Sequence, residues 1–325
     1  MGYKIFINQC LIVGDNMSNE PIDPMESIEE AYAGILSFMR FPYSRDLKNS
    51  DIAVLGVPYD LGTTNRPGAR FGPRAIRESS SLVGEYKWGL WPWGYHLLDR
   101  RKIIDFGDVC NFTASPERLI KELEEKTVHI LDAGTAVMAL GGDHFISLPL
   151  LRAHVKKHGP LALIHFDAHT DTWVDDHYNH GTMFYHAVQE GLIDVDHSIQ
   201  IGIRTPNPDT FGIEIIDAIQ MNNMSTDEII SRIRDRVGDC KAYLTFDIDF
   251  LDPAFAPGTG TPVVGGASVM QGREILFGLK GLKIVGGDQV EVAPAYDAIG
   301  SITALAGATI AADILYLISE TLDDI

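Results

Sequence analysis

The chain has 325 residues, 45% apolar and 22% charged, which is enough to bury a sizeable core and too apolar for an intrinsically disordered protein. Lys and Arg number 26 against 45 Asp and Glu, a formal net charge of -19 with no basic stripe, which speaks against nucleic acid as a partner. Three distant cysteines, Cys10, Cys110 and Cys240, form no CxxC pair, and neither a cleavable leader nor a run approaching ~20 apolar residues is evident, so a reducing, cytoplasmic setting away from membranes is expected.

Residues 1–50 read as an N-terminal extension and arm, with Met17 as a second start, and 51–325 as one α/β domain. Short β-branched runs then alternate with amphipathic stretches, the pattern of a parallel sheet built from βαβ units. In chain order the predicted strands are Ile52–Val57, Lys102–Phe106, Val137–Leu140, Leu161–His165, Ile199–Ile203, Ala242–Phe246 and Lys283–Val285. The predicted helices are Pro116–Ala133, with Ser115 as N-cap, Leu148–Lys157 ending at Gly159, Asp227–Arg236, Val269–Lys280 and Ile302–Glu320. The aromatic stretch Tyr86–Tyr95, with Trp88, Trp91 and Trp93, reads as packing surface and not as a ligand-stacking site.

The polar residues that matter fall just after strands, where ligands bind in open parallel sheets. Gly141-Gly142-Asp143-His144 follows the third strand; a histidine after a glycine turn is, taken alone, most often structural. Asp167, His169 and Asp171 recur with period two after the run Leu161–Ile164, which on extended backbone places all three on one face. Asp247 and Asp249 repeat the device after another buried strand, and the following loop, Asp252–Pro262, is stiffened by three prolines. Like charges so close repel unless a cation lies between them. Two imidazoles and four carboxylates suit a borderline divalent ion such as manganese, and six such groups exceed the needs of one open catalytic ion. Two ions about 3.5–4 Å apart, sharing bridging carboxylates, would use them all and activate water near neutral pH.

These segments, Gly-Gly-Asp-His, Asp-Ala-His-Thr-Asp and Phe-Asp-Ile-Asp with the proline loop, resemble the signatures of the ureohydrolases, the family that includes arginase and agmatinase. The resemblance runs from about Asp51 to the C-terminus and is strongest to the agmatinase branch, through His180–Phe184 and Gln289–Asp297. It implies a three-layer α/β/α fold with a mainly parallel sheet, a trimeric or hexameric assembly, and two divalent ions, manganese first and nickel second. One ion would be held by His144, Asp167, Asp171 and Asp247, the other by His169, Asp167, Asp247 and Asp249. Glu291 would pair with the substrate guanidinium, His180 would shuttle protons, and Asp171 would orient the attacking water.

The implied reaction releases urea and an amine from a small cationic guanidino compound, agmatine giving putrescine. Guanidinobutyrate, guanidinopropionate, guanidine and a biguanide such as metformin are the alternatives, and a catalytically silent metal-binding subunit is the reading from another class. Trp173 stands where arginases use an asparagine on the substrate α-carboxylate, and Gly287-Asp288-Gln289-Val290 stands where Met-Asp-Val-Val is usual in agmatinases. An ω-guanidino acid would need a cation for its carboxylate, for which Arg66, Arg70 and Arg204 are the candidates.

Overall fold

Eight strands, β1 (Ile52–Val57), β2 (Ile103–Asp108), β3 (Ala136–Gly141), β4 (Ala162–Phe166), β5 (Ile199–Ile203), β6 (Glu214–Asp217), β7 (Lys241–Asp247) and β8 (Lys283–Val290), pair in parallel throughout. Their order is β2-β1-β3-β8-β7-β4-β5-β6 in the computed structural model, which describes residues 31–85, 89–109 and 115–323. Cys10, Cys110, Met17, Tyr86 and Trp88 lie outside the described residues.

Successive residues of a strand point to opposite faces, so each strand feeds two cores. Ile52 and Val54 of β1, with Met138 and Leu140 of β3, enter one; Ala53, Leu55 and Val57, with Val137 and Ala139, enter the other. The first core is closed by α1 (Gly72–Val83), α6 (Thr226–Val237), α7 (Val269–Gly278) and α8 (Ile302–Thr321). The second is closed by α2 (Pro116–Asp132), α3 (Ser147–His158) and α4 (Met183–Gln189), while the short α5 (Ala218–Asn223) packs by β5 and β6. The result is the expected three-layer α/β/α arrangement with a parallel sheet. The described residues from Ile35 onward form one compact unit, and Phe38 and Phe41 join the first core, where Phe38 N–H donates to Asp105 Oδ2 at 2.7 Å.

Several elements differ from the sequence reading, each for a physical reason. α1 has no clear apolar stripe because its inward face carries Arg77, whose guanidinium donates to Asp105 at 2.7 and 2.9 Å and to Asp108 at 2.6 Å. β6 is a four-residue, partly exposed edge strand, too short and polar to stand out. β8 runs five residues beyond Val285, through the apparent turn sequence Gly286-Gly287-Asp288. Gly287 lies so close to β7 that a Cβ would come within 2.5 Å of Leu244 O, and Asp288 is buried but accepts hydroxyl donors from Ser147, Tyr243 and Thr245. α8, contrary to the reading that no run is long and apolar enough to span a bilayer, passes that test by length and composition; its apolar character is explained by burial against α1, α7 and β8. In the aromatic stretch, Trp93 stacks on Tyr316 at 4.8 Å and donates from Nε1 to Asp313 Oδ1 at 2.7 Å.

His154 of α3 is fully buried beneath β8, with Nδ1–H donating to Leu150 O at 2.8 Å and Nε2 against Gly286, where a Cβ would come within 2.2 Å. Burial lowers its pKa to about 4. The unfolded chain takes up this proton near pH 6.5 and the fold does not, so stability falls as pH drops from 6.5 toward 4. Between pH 6.5 and 4.5 the wild type should lose about 2 kcal/mol more than His154→Leu. Urea unfolding of both proteins at the two pH values checks this, and parallel losses would reject it.

Candidate metal centre

β3, β8, β7 and β4 are consecutive neighbours at the middle of the sheet, and each carries site residues just beyond its carboxyl end. After β3, Gly142 turns under the preceding loop; a Cβ there would lie 2.1 Å from Tyr59 O, so no larger residue fits. Asp143 then caps the next turn, accepting from Gly62 N–H at 2.6 Å and Phe145 N–H at 3.2 Å, which points His144 inward. After β4, Asp167 Oδ1 accepts His169 N–H at 2.6 Å, and after β7, Asp247 Oδ1 accepts Asp249 N–H at 2.7 Å. Asp249 Oδ1 accepts Ala168 N–H at 3.1 Å, tying the two loops together. Asp171 and Glu291 both have left-handed backbone, with φ of 50° and 66°. Such strain in a non-glycine residue costs about 1–3 kcal/mol and persists where the surroundings impose it.

The side chains converge. His144 Nδ1 lies 3.0 Å from Asp167 Oδ2, 3.0 Å from Asp171 Oδ2 and 3.2 Å from Asp247 Oδ2. His144 Nε2–H donates to Thr245 Oγ1 at 2.8 Å, and that hydroxyl donates to Asp288, so Nδ1 presents a buried lone pair with no hydrogen-bond partner. Two atoms bound at right angles to one ion, each about 2.1 Å from it, stand about 3.0 Å apart, and this is the spacing of the group. A second group adjoins it: His169 Nδ1 is 3.2 Å from Asp167 Oδ1 and 3.1 Å from Asp249 Oδ2. Asp167 thus gives one oxygen to each group. The orphaned Nδ1 and this mixed imidazole and carboxylate donor set fit a pair of divalent ions.

The electrostatics point the same way. Burial, then the neighbouring carboxylates, raises Asp171, Asp249 and, most strongly, Asp247 above the usual carboxylate range. Asp167 is also opposed by burial, yet His165, His144 and His169 hold it well below that range. Burial lowers His144 and His169, but the aspartates outweigh it, driving His144 well above its ordinary value and His169 to about 12. The cluster therefore draws positive charge, which cations supply without consuming protons.

His180 and Glu291 form a second layer. His180 Nδ1–H donates to Glu291 Oε1 at 2.8 Å, and Thr64 N–H points at Nε2 from 3.0 Å, with Thr64 Oγ1 at 2.8 Å. The backbone donor favours a lone pair at Nε2; burial also disfavours charge, yet Glu291 and Asp143 lift the ring to about 9. The backbone donor and the two carboxylates thus act on the ring's protonation in opposite directions, and the carboxylates prevail. Glu291 is buried, its Oε1 also accepts His144 N–H at 2.9 Å, and its Oε2 has no hydrogen-bond partner among the described residues.

A model of the arginase family matches residues 50–316. The agmatinase of Chromobacterium violaceum is 50% identical over 296 residues, covering 90% of this chain and 91% of the relative.

The chain belongs to the arginase family.

Two solved structures agree with this arginase-family assignment. A hypothetical agmatinase from Burkholderia thailandensis superposes with a TM-score of 0.88 at 50% identity, over 91% of this chain and 95% of that one. The proclavaminate amidino hydrolase of Streptomyces clavuligerus gives 0.84 at 38% identity, over 90% and 100%. The family carries a binuclear divalent-metal site, and the two adjoining groups are where this arginase-family chain concentrates suitable ligands.

Beside the cluster lies a cavity of about 430 Å³, lined by His169, Asp171 and Asp247 together with Thr64, Trp173, Val174, Asp175 and His180 among others. None of the three candidate arginines lines it. Arg66 donates to Gly260 O and Thr259 O, Arg70 pairs with Asp60, and Arg204 donates to the carbonyls of Asp249 and Val263. Gly287 and Gln289 are buried inside β8 and do not line the cavity either.

The structure also brings in residues that the motif reading passed over. His165 Nε2–H donates to Asp167 Oδ2 at 2.8 Å, and Gln200 fixes this tautomer by donating to His165 Nδ1 at 3.0 Å. His165 is one further step of the period-two row through Asp167 and His169, and Thr245 precedes Asp247 by the same two residues; that spacing was the available signal. Thr64, Gln200 and Asp288 gave none, since each reaches the site from a distant part of the chain.

The metal-stripped chain should gain several degrees in Tm with excess Mn2+, because binding to the fold alone stabilises it. Elemental analysis should find about two ions per wild-type chain and about one or fewer in Asp247→Ala. Two tightly held ions in that variant would overturn the grouping.

Proposed function

We propose that this arginase-family chain is an agmatinase, hydrolysing agmatine to putrescine and urea with two divalent cations, manganese in preference to nickel. The observation that carries the choice of substrate is the cavity beside the cluster: it offers carboxylates, its only basic side chains among the described residues are His169 and His180, and all three candidate arginines are engaged elsewhere. Four aspartates and Glu291 beside two dications leave the site negative on balance, which suits a dication better than an ω-guanidino acid. The names of the relatives, agmatinases at about half identity over most of their length, support the same reading. Dispersed cysteines fit a cytoplasmic setting, and the family resemblance favours a homotrimer or hexamer.

In this reading His144, Asp167, Asp171 and Asp247 hold one ion, and His169, Asp167, Asp247 and Asp249 the other. When bound, such a pair lowers the pKa of water toward neutrality. Glu291 Oε2, buried without a partner, takes the guanidinium through charge-assisted hydrogen bonds and sets its carbon in line for attack. Asp171 accepts the proton of the attacking water. The bond from carbon to the substituted nitrogen breaks, that nitrogen takes the proton to leave as the amine, and the carbon remains in urea. His180, poised between Glu291 and Thr64, exchanges protons between the site and the cavity.

A urea-release panel with agmatine, arginine, guanidinobutyrate, guanidinopropionate, guanidine and metformin should give the highest kcat/KM for agmatine. No urea from agmatine, or a clear preference for a carboxylate-bearing substrate, would refute the reading. Glu291→Gln should retain both metals yet lose about 100-fold or more in kcat/KM. Near wild-type efficiency would remove Glu291 from the mechanism.

A further inference from the structure

The cavity beside the metal cluster has an acid that the reaction does not use. Of the three aspartates that line it, Asp171 and Asp247 belong to the cluster, and the third is Asp175. Its carboxylate is already oriented: Oδ1 accepts His177 N–H at 2.8 Å and the His177 ring at 2.8 Å. Among the described residues no hydrogen bond or ion pair engages Oδ2. Trp173 and Val174, which precede it, are about half exposed and wall the same cavity with apolar surface. A chain with its charged head at the cluster thus shares the cavity with an apolar wall and a further negative charge.

We propose that Asp175 is the anchor for the distal ammonium of the substrate, with Trp173 and Val174 covering the methylenes between the two charged ends. The inference rests on the agmatinase reading and names the residue that makes it selective. An alkylammonium donates up to three hydrogen bonds and suits the unpartnered Oδ2, whereas a terminal carboxylate in the same place faces like charge. The two N–H contacts hold the carboxyl below its usual range, so it stays charged across the working pH range.

The test compares agmatine with n-butylguanidine, which has a chain of the same length and no ammonium, and with guanidinobutyrate, in wild type, Asp175→Asn and Asp175→Lys. Asp175→Asn keeps an acceptor for His177 N–H and should raise KM for agmatine, relative to that for n-butylguanidine, by roughly tenfold with kcat for agmatine little changed. Asp175→Lys should go further and improve guanidinobutyrate relative to agmatine. Unchanged metal content and circular dichroism confirm that the variants fold. An unchanged KM ratio in Asp175→Asn overturns the anchor, as does an equal rise for both substrates, which marks a structural loop residue. Failure of the wild type to cleave agmatine at all overturns the underlying reading instead.

Discussion

Four aspartate carboxylates crowded into a dry notch at the rim of the sheet cannot all keep their charge unless positive charge is brought to them. Burial, and then their mutual repulsion, raises three of the four. The histidines compensate in part, and His144, whose other nitrogen is bonded to Thr245, aims Nδ1 at three of the oxygens, the position where a cation can take the place of a proton. A pair of divalent cations resolves the conflict, and the surrounding structure is arranged to present this unfavourable cluster ready-made.

The arrangement depends on the sheet. Parallel pairing ends β3, β8, β7 and β4 at one level, so four sequence-distant loops begin side by side. Short side-chain caps then aim each ligand: Asp143 orients the His144 turn, and Asp167 and Asp247 accept the N–H two residues on. Behind the ligands, Gln200 selects the His165 tautomer, while Asp288, through Thr245, selects that of His144. These outer contacts fix which nitrogen carries a proton, and with it which can face a cation. Asp171 and Glu291 add left-handed backbone at the same rim, a strain that persists only where the surroundings impose it.

Much of this was legible in the amino-acid order because period-two spacing is a local property. Asp167, His169 and Asp171 share a face by backbone geometry alone, and the alternating strands and helices announced a parallel sheet. What escaped reading had a common cause. α1 buries an arginine in place of an apolar stripe, β8 passes through glycines and an aspartate that look like a turn, and β6 is a short polar edge. In the first two a distant partner satisfies the buried polar group, and single-sequence patterns do not contain that partner; β6 is too short and exposed to show a period. Arg66, Arg70 and Arg204 were misread for the same reason: their sequence positions after strand ends say nothing of the carbonyls and the aspartate that occupy them.

Local periodicity and the chemistry of side chains thus determined, before any coordinates, the class of fold, the six ligand candidates and the sign of charge the site prefers. The tertiary structure decided the rest. It set the order of strands that joins four loops into one site, the pairing of Glu291 with His180, the withdrawal of every arginine from the cavity, and the placing of Asp175 on its wall. The division has a physical origin. Backbone geometry acts over two to four residues and is written in spacing, whereas hydrogen-bond partners and cavity walls come from segments tens to hundreds of residues apart, whose meeting only packing can fix.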